Sequence, residues 1–225
     1  MEIIKVENVF KIYQDNAVAV NALNGINLTI NQGDYMVIAG QSGSGKTTLL
    51  NIIGTLDIPT SGKIYLEGND LSKKSKNMLA EIRLQKIGFI FQAYNLLPVL
   101  TALENIEFTM MLRKIPEKER QERALAVMND LGIGELANKI PNQMSGGQQQ
   151  RVAVARAIVN DPSIVLADEP TANLDSKTGE NLLDIMQQMN EKRGITFVFS
   201  SHDEQVIERA KRLIILKDGM IESEK

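Results

Sequence analysis

Cysteine is absent from the 225 residues, and histidine occurs once, as His202. The first absence excludes a disulfide framework and thiolate chemistry. The two together exclude a structural zinc site made of Cys and His. Basic excess is missing too: 25 Lys and Arg stand against 28 Asp and Glu, a formal net charge of −3. Dedicated nucleic-acid binders are usually basic, so no nucleic-acid partner is expected. The longest apolar runs are a few residues, far short of the roughly 18–20 that cross a bilayer. The opening MEIIKVENVFKIY lacks the apolar stretch of a secretory signal. What is present, 43% hydrophobic and 24% charged residues, is the composition of a soluble globular protein. The chain is long enough for one large domain, or a core with a sub-domain. A cytoplasmic protein is expected.

Short β-rich runs alternate with helical stretches, the pattern of an α/β fold. Ile3–Tyr13 and Ala22–Ile30 alternate apolar and polar residues and read as two strands around a polar turn, Gln14–Asn16. Asp34–Ala39 reads as a buried strand, Lys46–Ile53 as a helix and Ile58–Gly62 as a turn. Lys63–Leu66 and Gly88–Phe91 are further strands by composition. From Ser72 to about Gly132 the character turns helical, over Asn77–Gln85, Ala102–Leu112 and Glu117–Leu131. Glu119 and Arg123 are an i,i+4 pair on that insert, which should end near Gly134. Strands return at Ile164–Ala167, Thr196–Ser200 and Arg212–Leu216, with Leu182, Ile185, Met186 and Met189 marking one face of an intervening helix.

Gly40-Gln41-Ser42-Gly43-Ser44-Gly45-Lys46-Thr47 matches the phosphate-loop pattern G-x-x-x-x-G-K-[ST] between an expected strand and an expected helix. Glycines let the backbone curl so that its N–H groups converge on anionic oxygens, and the following helix aims its positive end at the same place. Lys46 supplies a charge for the β- and γ-phosphates, Thr47 a hard oxygen for Mg²⁺. Thr48 follows inside the same nucleotide-binding turn. Chance would produce the four fixed positions in about 1% of chains this long. Nucleotide phosphate is the expected ligand.

Ile164–Ala167 runs into Asp168 and Glu169. Ligands gather at the carboxyl ends of parallel strands, so both acids should lie near the phosphates. Asp168 is placed to hold Mg²⁺ and Glu169 to orient and deprotonate an attacking water. His202 also follows an apolar strand and should emerge on the same edge, either as a structural residue or in contact with the γ-phosphate. Ser201, His202 and Asp203 are adjacent, whereas a hydrolytic triad is assembled from separate elements, which disfavours serine-hydrolase chemistry.

Met144-Ser145-Gly146-Gly147-Gln148-Gln149-Gln150-Arg151 precedes an apolar helix. With this segment the chain resembles, over its whole length and in the same motif order, the nucleotide-binding subunit of an ATP-binding cassette (ABC) transporter. The segments Asn51–Asp57, Phe91–Pro98, Leu100–Asn105 and Ser145–Arg151 are similar to the MacB/LolD-type branch, which serves macrolide and peptide export and lipoprotein release. The resemblance implies a P-loop NTPase with a RecA-like α/β core and an N-terminal antiparallel β sub-domain, over 1–91 and 160–225. A helical sub-domain with Q-loop and signature helix would occupy 92–159.

It further implies that Tyr13 stacks on adenine and that Gln92 touches Mg²⁺ and senses the γ-phosphate. Ser145, Gly146, Gly147 and Gln148 would bind the ATP of a second subunit, and Asn173-Leu174-Asp175 would communicate across that dimer. ATP-driven homodimerisation, an integral membrane permease as partner and a place on the inner face of the membrane follow from the same resemblance. Met144 stands where the family usually has Leu, and Ser201 where Thr is common. The apolar stretch Ala93–Leu103 is either internal packing or a permease contact. Two rivals differ in class. An ABC ATPase without transport would usually carry coiled-coil insertions, yet sustained heptads are missing. A small-molecule kinase would have no use for Ser-Gly-Gly-Gln.

Overall fold

The computed structural model describes residues 1–15 and 18–225. The chain opens with β1 (Glu2–Asp15) and β2 (Val18–Asn31), then β3 (Tyr35–Ala39), the glycine-rich segment and α1 (Lys46–Ile53). Next come β4 (Ser61–Leu66), β5 (Asn69–Asp70), α2 (Lys76–Lys86) and β6 (Ile87–Ile90). Helices α3 (Ala102–Leu112), α4 (Glu117–Asp130) and α5 (Gly146–Ile158) follow, with 3₁₀ turns at Gly134–Leu136 and Pro141–Gln143 before α5. The remainder is β7 (Ile164–Asp168), α6 (Ser176–Arg193), β8 (Phe197–Ser201), α7 (Glu204–Glu208), β9 (Arg212–Lys217) and β10 (Met220–Glu224).

Two sheets result. One is antiparallel with order β2-β1-β4-β5; the other has order β10-β9-β3-β8-β7-β6 and is parallel except for β10. Strands buried on both faces read as continuous apolar runs, and β3 is buried at all five positions. Its residues alternate between two cores. Tyr35, Val37 and Ala39 face α3–α6, while Met36 and Ile38 face α1 and the antiparallel sheet. In β7, Val165 and Ala167 join the first core, Ile164 and Leu166 the second. Each Val- or Ile-sized side chain fully buried in this way contributes about 1.5–3 kcal/mol, so the parallel strands are the rigid frame on which the loops stand.

Every expected strand and helix is present, with shifted limits in places. Gln14 belongs to β1 rather than to a turn, and Asn16 lies outside the described residues. Ser61 and Gly62 already belong to β4, where Ser61 pairs with Phe10 at the end of the β1–β4 ladder, so the turn after α1 is shorter than expected. Phe91 lies beyond β6. The helix at Asn77–Gln85, read as part of the helical insert, is α2, whose Leu79 and Ile82 pack into the core shared by the two sheets. β5, α7 and β10 were not expected.

Candidate nucleotide-binding site

Four adjacent strands of the larger sheet deliver the candidate residues. The phosphate loop leaves β3, Gln92 follows β6, Asp168 ends β7 with Glu169 next, and His202 follows β8. These carboxyl ends open into a cavity of about 950 Å³. Its walls include Tyr13, Gly40, Gln41, Ser42, Gly43, Gly45, Lys46, Thr47, Thr48, Gln92, Glu169 and His202.

Gly45 sits at φ +103°, where side chains are rarely tolerated, and a Cβ there would come within 2.5 Å of the Ala22 carbonyl. As N-cap of α1 it contributes no side-chain hydrogen bond, so the first amides of that helix face the cavity without an internal acceptor from the cap. Ser44 is buried beneath the loop, its hydroxyl without a hydrogen-bond partner among the described residues. The Lys46 ammonium is held across the loop by the carbonyls of Gly40 (2.7 Å) and Gln41 (3.0 Å). Thr47 Oγ1 donates to Asp168 Oδ1 at 3.2 Å. Two hard oxygens so close, one of them anionic, fit Mg²⁺, which is bound through one or two carboxylates and completes its octahedron with other oxygens, water and phosphate among them.

Glu169 has φ +47° at the strand end, a strained geometry for a side-chain-bearing residue. Its carboxylate is gripped twice: Oε1 lies 2.7 Å from His202 Nδ1, and Oε2 accepts from Ser201 Oγ at 3.1 Å. Ser201 Oγ in turn accepts from the Asp203 amide. Ser201 therefore orients Glu169, a role left unread in the sequence, where Ser201 figures only as a triad member and as a departure from Thr. Gln92 reaches the cavity with an exposed side chain, while its carbonyl accepts from Asn173 Nδ2 at 2.9 Å. Asn173, expected only as a dimer contact, thus fastens the Gln92 loop within its own chain.

The signature segment stands apart. Ser145, Gly146, Gly147 and Gln148 do not line this cavity. Ser145 caps α5 in a capping box: its Oγ accepts from the Gln148 amide, and Gln148 Oε1 accepts from the Ser145 amide. The two glycines have a packing reason of their own, since a Cβ on Gly147 would lie 2.3 Å from Thr178 Cγ2 and one on Gly146 2.8 Å from the Tyr94 hydroxyl.

Sequence reasoning also passed over Arg156. Its guanidinium donates to the carbonyls of Tyr94 (2.7 Å) and Asn95 (2.6 Å), which stand in succession at φ +58° and +51°. The Ala93–Leu103 stretch divides: Leu96 and Leu103 pack into the helical core, whereas Leu97 and Val99 are exposed. No helix of the described residues is long and apolar enough to cross a membrane.

Comparison with known proteins agrees with this geometry. Residues 23–172 match the family model described as ABC transporter. An ABC transporter ATP-binding protein of Thermotoga maritima is 47% identical over 98% of this chain and 94% of its own length. The macrolide export ATP-binding/permease protein MacB of Syntrophobacter fumaroxidans is 43% identical over all of this chain, which spans 32% of that protein. The solved dimeric structure of MJ0796, a bacterial ABC transporter cassette, superposes with a TM-score of 0.91 at 45% identity, covering 99% of this chain and 98% of that one. The same cassette is also known in a post-hydrolysis state bound to ADP and Pi, with the same TM-score. On an agreement that extends over nearly its whole length, this chain belongs to the ABC transporter family, as one of its ATP-hydrolysing cassettes.

Proposed function

We propose that the chain is the Mg²⁺-dependent motor of an export transporter, two copies of which close on two ATP molecules. The observation that supports this is the separation just described. The cavity is lined by a phosphate loop, Glu169 and His202, with Asp168 bonded to the loop's Thr47, while the anion-suited start of α5 lies elsewhere on the same chain. A second copy brings its Ser145–Gln148 segment against the γ-phosphate, as the dimeric form of the MJ0796 cassette favours.

In that arrangement Tyr13 stacks on adenine, and the amides of Gly40–Thr48 with Lys46 bind the phosphates. Thr47, Asp168 and Gln92 hold Mg²⁺, which when bound draws charge from the phosphate oxygens. Glu169 orients the attacking water and takes its proton; Ser201 and His202 keep that carboxylate aimed. His202 also stands where it can donate to the γ-phosphate as charge develops. Positioned charges and donors of this kind supply most of the catalysis in phosphoryl transfer.

A membrane permease converts closure into transport, which places the cassette peripherally on the cytoplasmic face of the membrane. The MacB relatives are named as combined ATP-binding and permease proteins, whereas the Thermotoga relative is matched over nearly its full length by a cassette alone. An apolar cleft of about 390 Å³ is lined by Phe89, Phe91, Asn95, Phe108 and Arg156. This cleft, beside the Gln92 loop, is the proposed seat of the permease.

The test is Glu169→Gln. Loss of a general base should lower turnover by about 10²–10⁴-fold, and ATP should then hold the variant as a dimer in size-exclusion chromatography. Lys46→Ala should lose nucleotide affinity itself. A Glu169→Gln variant that hydrolyses at the wild-type rate, or stays monomeric with ATP, would sink this reading.

A further inference from the structure

Two side chains that contact Tyr13 at the cavity mouth, Lys11 and Asp57, have no part in the chemistry described above. Lys11 and Tyr13 are two residues apart on β1 and so share a face. Asp57 stands beyond the end of α1, the helix that begins at the phosphate loop. The Tyr13 hydroxyl donates to Asp57 Oδ2 at 2.7 Å. Asp57 Oδ1 accepts from Lys11 Nζ at 2.7 Å and from the Ile58 amide at 2.7 Å. The Lys11 ammonium, almost wholly buried, also donates to the Ile58 carbonyl and lies 4.7 Å from the centroid of the Tyr13 ring. The ring is therefore fixed at its tip by a carboxylate and covered on one face by a cation, while 40% of the residue remains exposed at the cavity.

We propose that Asp57 and Lys11 are positioning residues for the nucleobase: they lock the plane of the Tyr13 ring so that its uncovered face meets the purine already ordered. This rests on the reading of Tyr13 as the adenine-stacking residue. A half-exposed tyrosine on a strand would otherwise be free about two side-chain torsions, and binding a base would have to arrest them. A ring ordered in advance removes that cost, the general gain of preorganisation. The same carboxylate joins β1 to the end of α1. The base contact and the phosphate loop are thereby referenced to one element, and the distance between the two halves of the nucleotide site is fixed.

The experiment uses the full chain and steady-state ATP hydrolysis, with inorganic tripolyphosphate as a competitive inhibitor that has phosphates but no base. Asp57→Ala should raise KM for ATP by about 2–10-fold, the span set by immobilising one such side chain. Its kcat should stay within about two-fold, and inhibition by tripolyphosphate should not change. Tyr13→Phe, which keeps the ring and removes the tether, should raise KM similarly. The double variant should be no worse than either single one, because both break the same link. If tripolyphosphate inhibition weakens in step with KM, Asp57 merely supports α1 and the proposal is overturned. If Asp57→Ala does not fold, Tyr13→Phe decides alone: an unchanged KM refutes the lock. Tyr13→Ala separates the underlying reading, since an unchanged KM there means that no base stacks on this residue. A raised KM for Tyr13→Ala with unchanged values for Tyr13→Phe and Asp57→Ala refutes only the lock.

Discussion

The carboxylate of Glu169, the proposed base, stands at a strained strand end and is held there by Ser201 and His202. Ser201 is fully buried, whereas the His202 side chain is 71% exposed. The hydroxyl is thus the rigid partner and the imidazole the movable one. Ser201→Ala should leave ATP affinity intact and lower turnover by about 5–150-fold, the range expected when a positioning contact of roughly 1–3 kcal/mol is lost. Ser201→Thr, which keeps the hydroxyl, should restore most of the rate. Equal damage to KM and kcat in steady-state assays would instead mean that Ser201 supports the fold rather than the base. At this scale the sequence revealed residues with a chemical signature of their own, such as Lys46, Asp168, Glu169 and His202. It concealed those whose importance comes only from a neighbour distant in the chain. Ser201 gains meaning from Glu169, 32 positions away, and Asp57 from Tyr13, 44 positions away; no local pattern encodes either pairing.

Helix α3 shows the same limit among elements, and a cost. Thr101 and Glu104 form its capping box, and Asn105, wholly buried, ties the preceding loop through the carbonyls of Leu97 and Leu100 and the Leu97 amide. Two positions on, Glu107 is buried with Oε1 unpartnered among the described residues. Burial raises its pKa, and the nearby Arg120 charge only partly offsets that. A carboxyl whose folded pKa is raised is better tolerated protonated, so ionisation costs stability as pH rises through the folded value. Glu107→Gln should therefore raise the melting temperature at neutral pH, by roughly 2–4 °C for each kcal/mol recovered. The gain should shrink as pH falls below about 4.3, where glutamate is protonated even unfolded. Thermal melts at pH 7 and pH 4 decide it; a lower melting temperature at pH 7 would show that the charge is in use. Long periodic helices such as α6 were legible because one apolar face recurs over several turns. The five-residue α7 and two-residue β5 have too few positions to show a period, and the polar edge strand β10 buries little. For α2 the period was readable, but not the sheet against which it packs.

For the whole molecule, the parallel sheet gathers loops from β3, β6, β7 and β8 at one edge; for β3, β7 and β8 that followed from the phosphate-loop pattern and the rule that ligands sit at strand carboxyl ends, for Gln92 after β6 only from family resemblance. The antiparallel sheet brings Tyr13 to the same cavity from the other side of the chain's second core. That meeting was readable only through family resemblance, because β1 and the phosphate loop are joined by nothing local. The segment left outside the cavity, Ser145–Gln148, has a consequence for mixtures. Ser145→Asp preserves a good N-cap for α5 but sets a negative charge against phosphate, and Lys46→Ala disables the loop; each variant alone should be inactive. In a symmetric pair that exchanges subunits, a mixed dimer joins the sound loop of one chain to the sound signature of the other. One of its two sites is then whole. Equal amounts of the two dead proteins should recover about a quarter of the wild-type specific activity, since half of randomly formed pairs are mixed and each has one competent site. A mixture as inactive as its parts would mean that each chain completes its site alone.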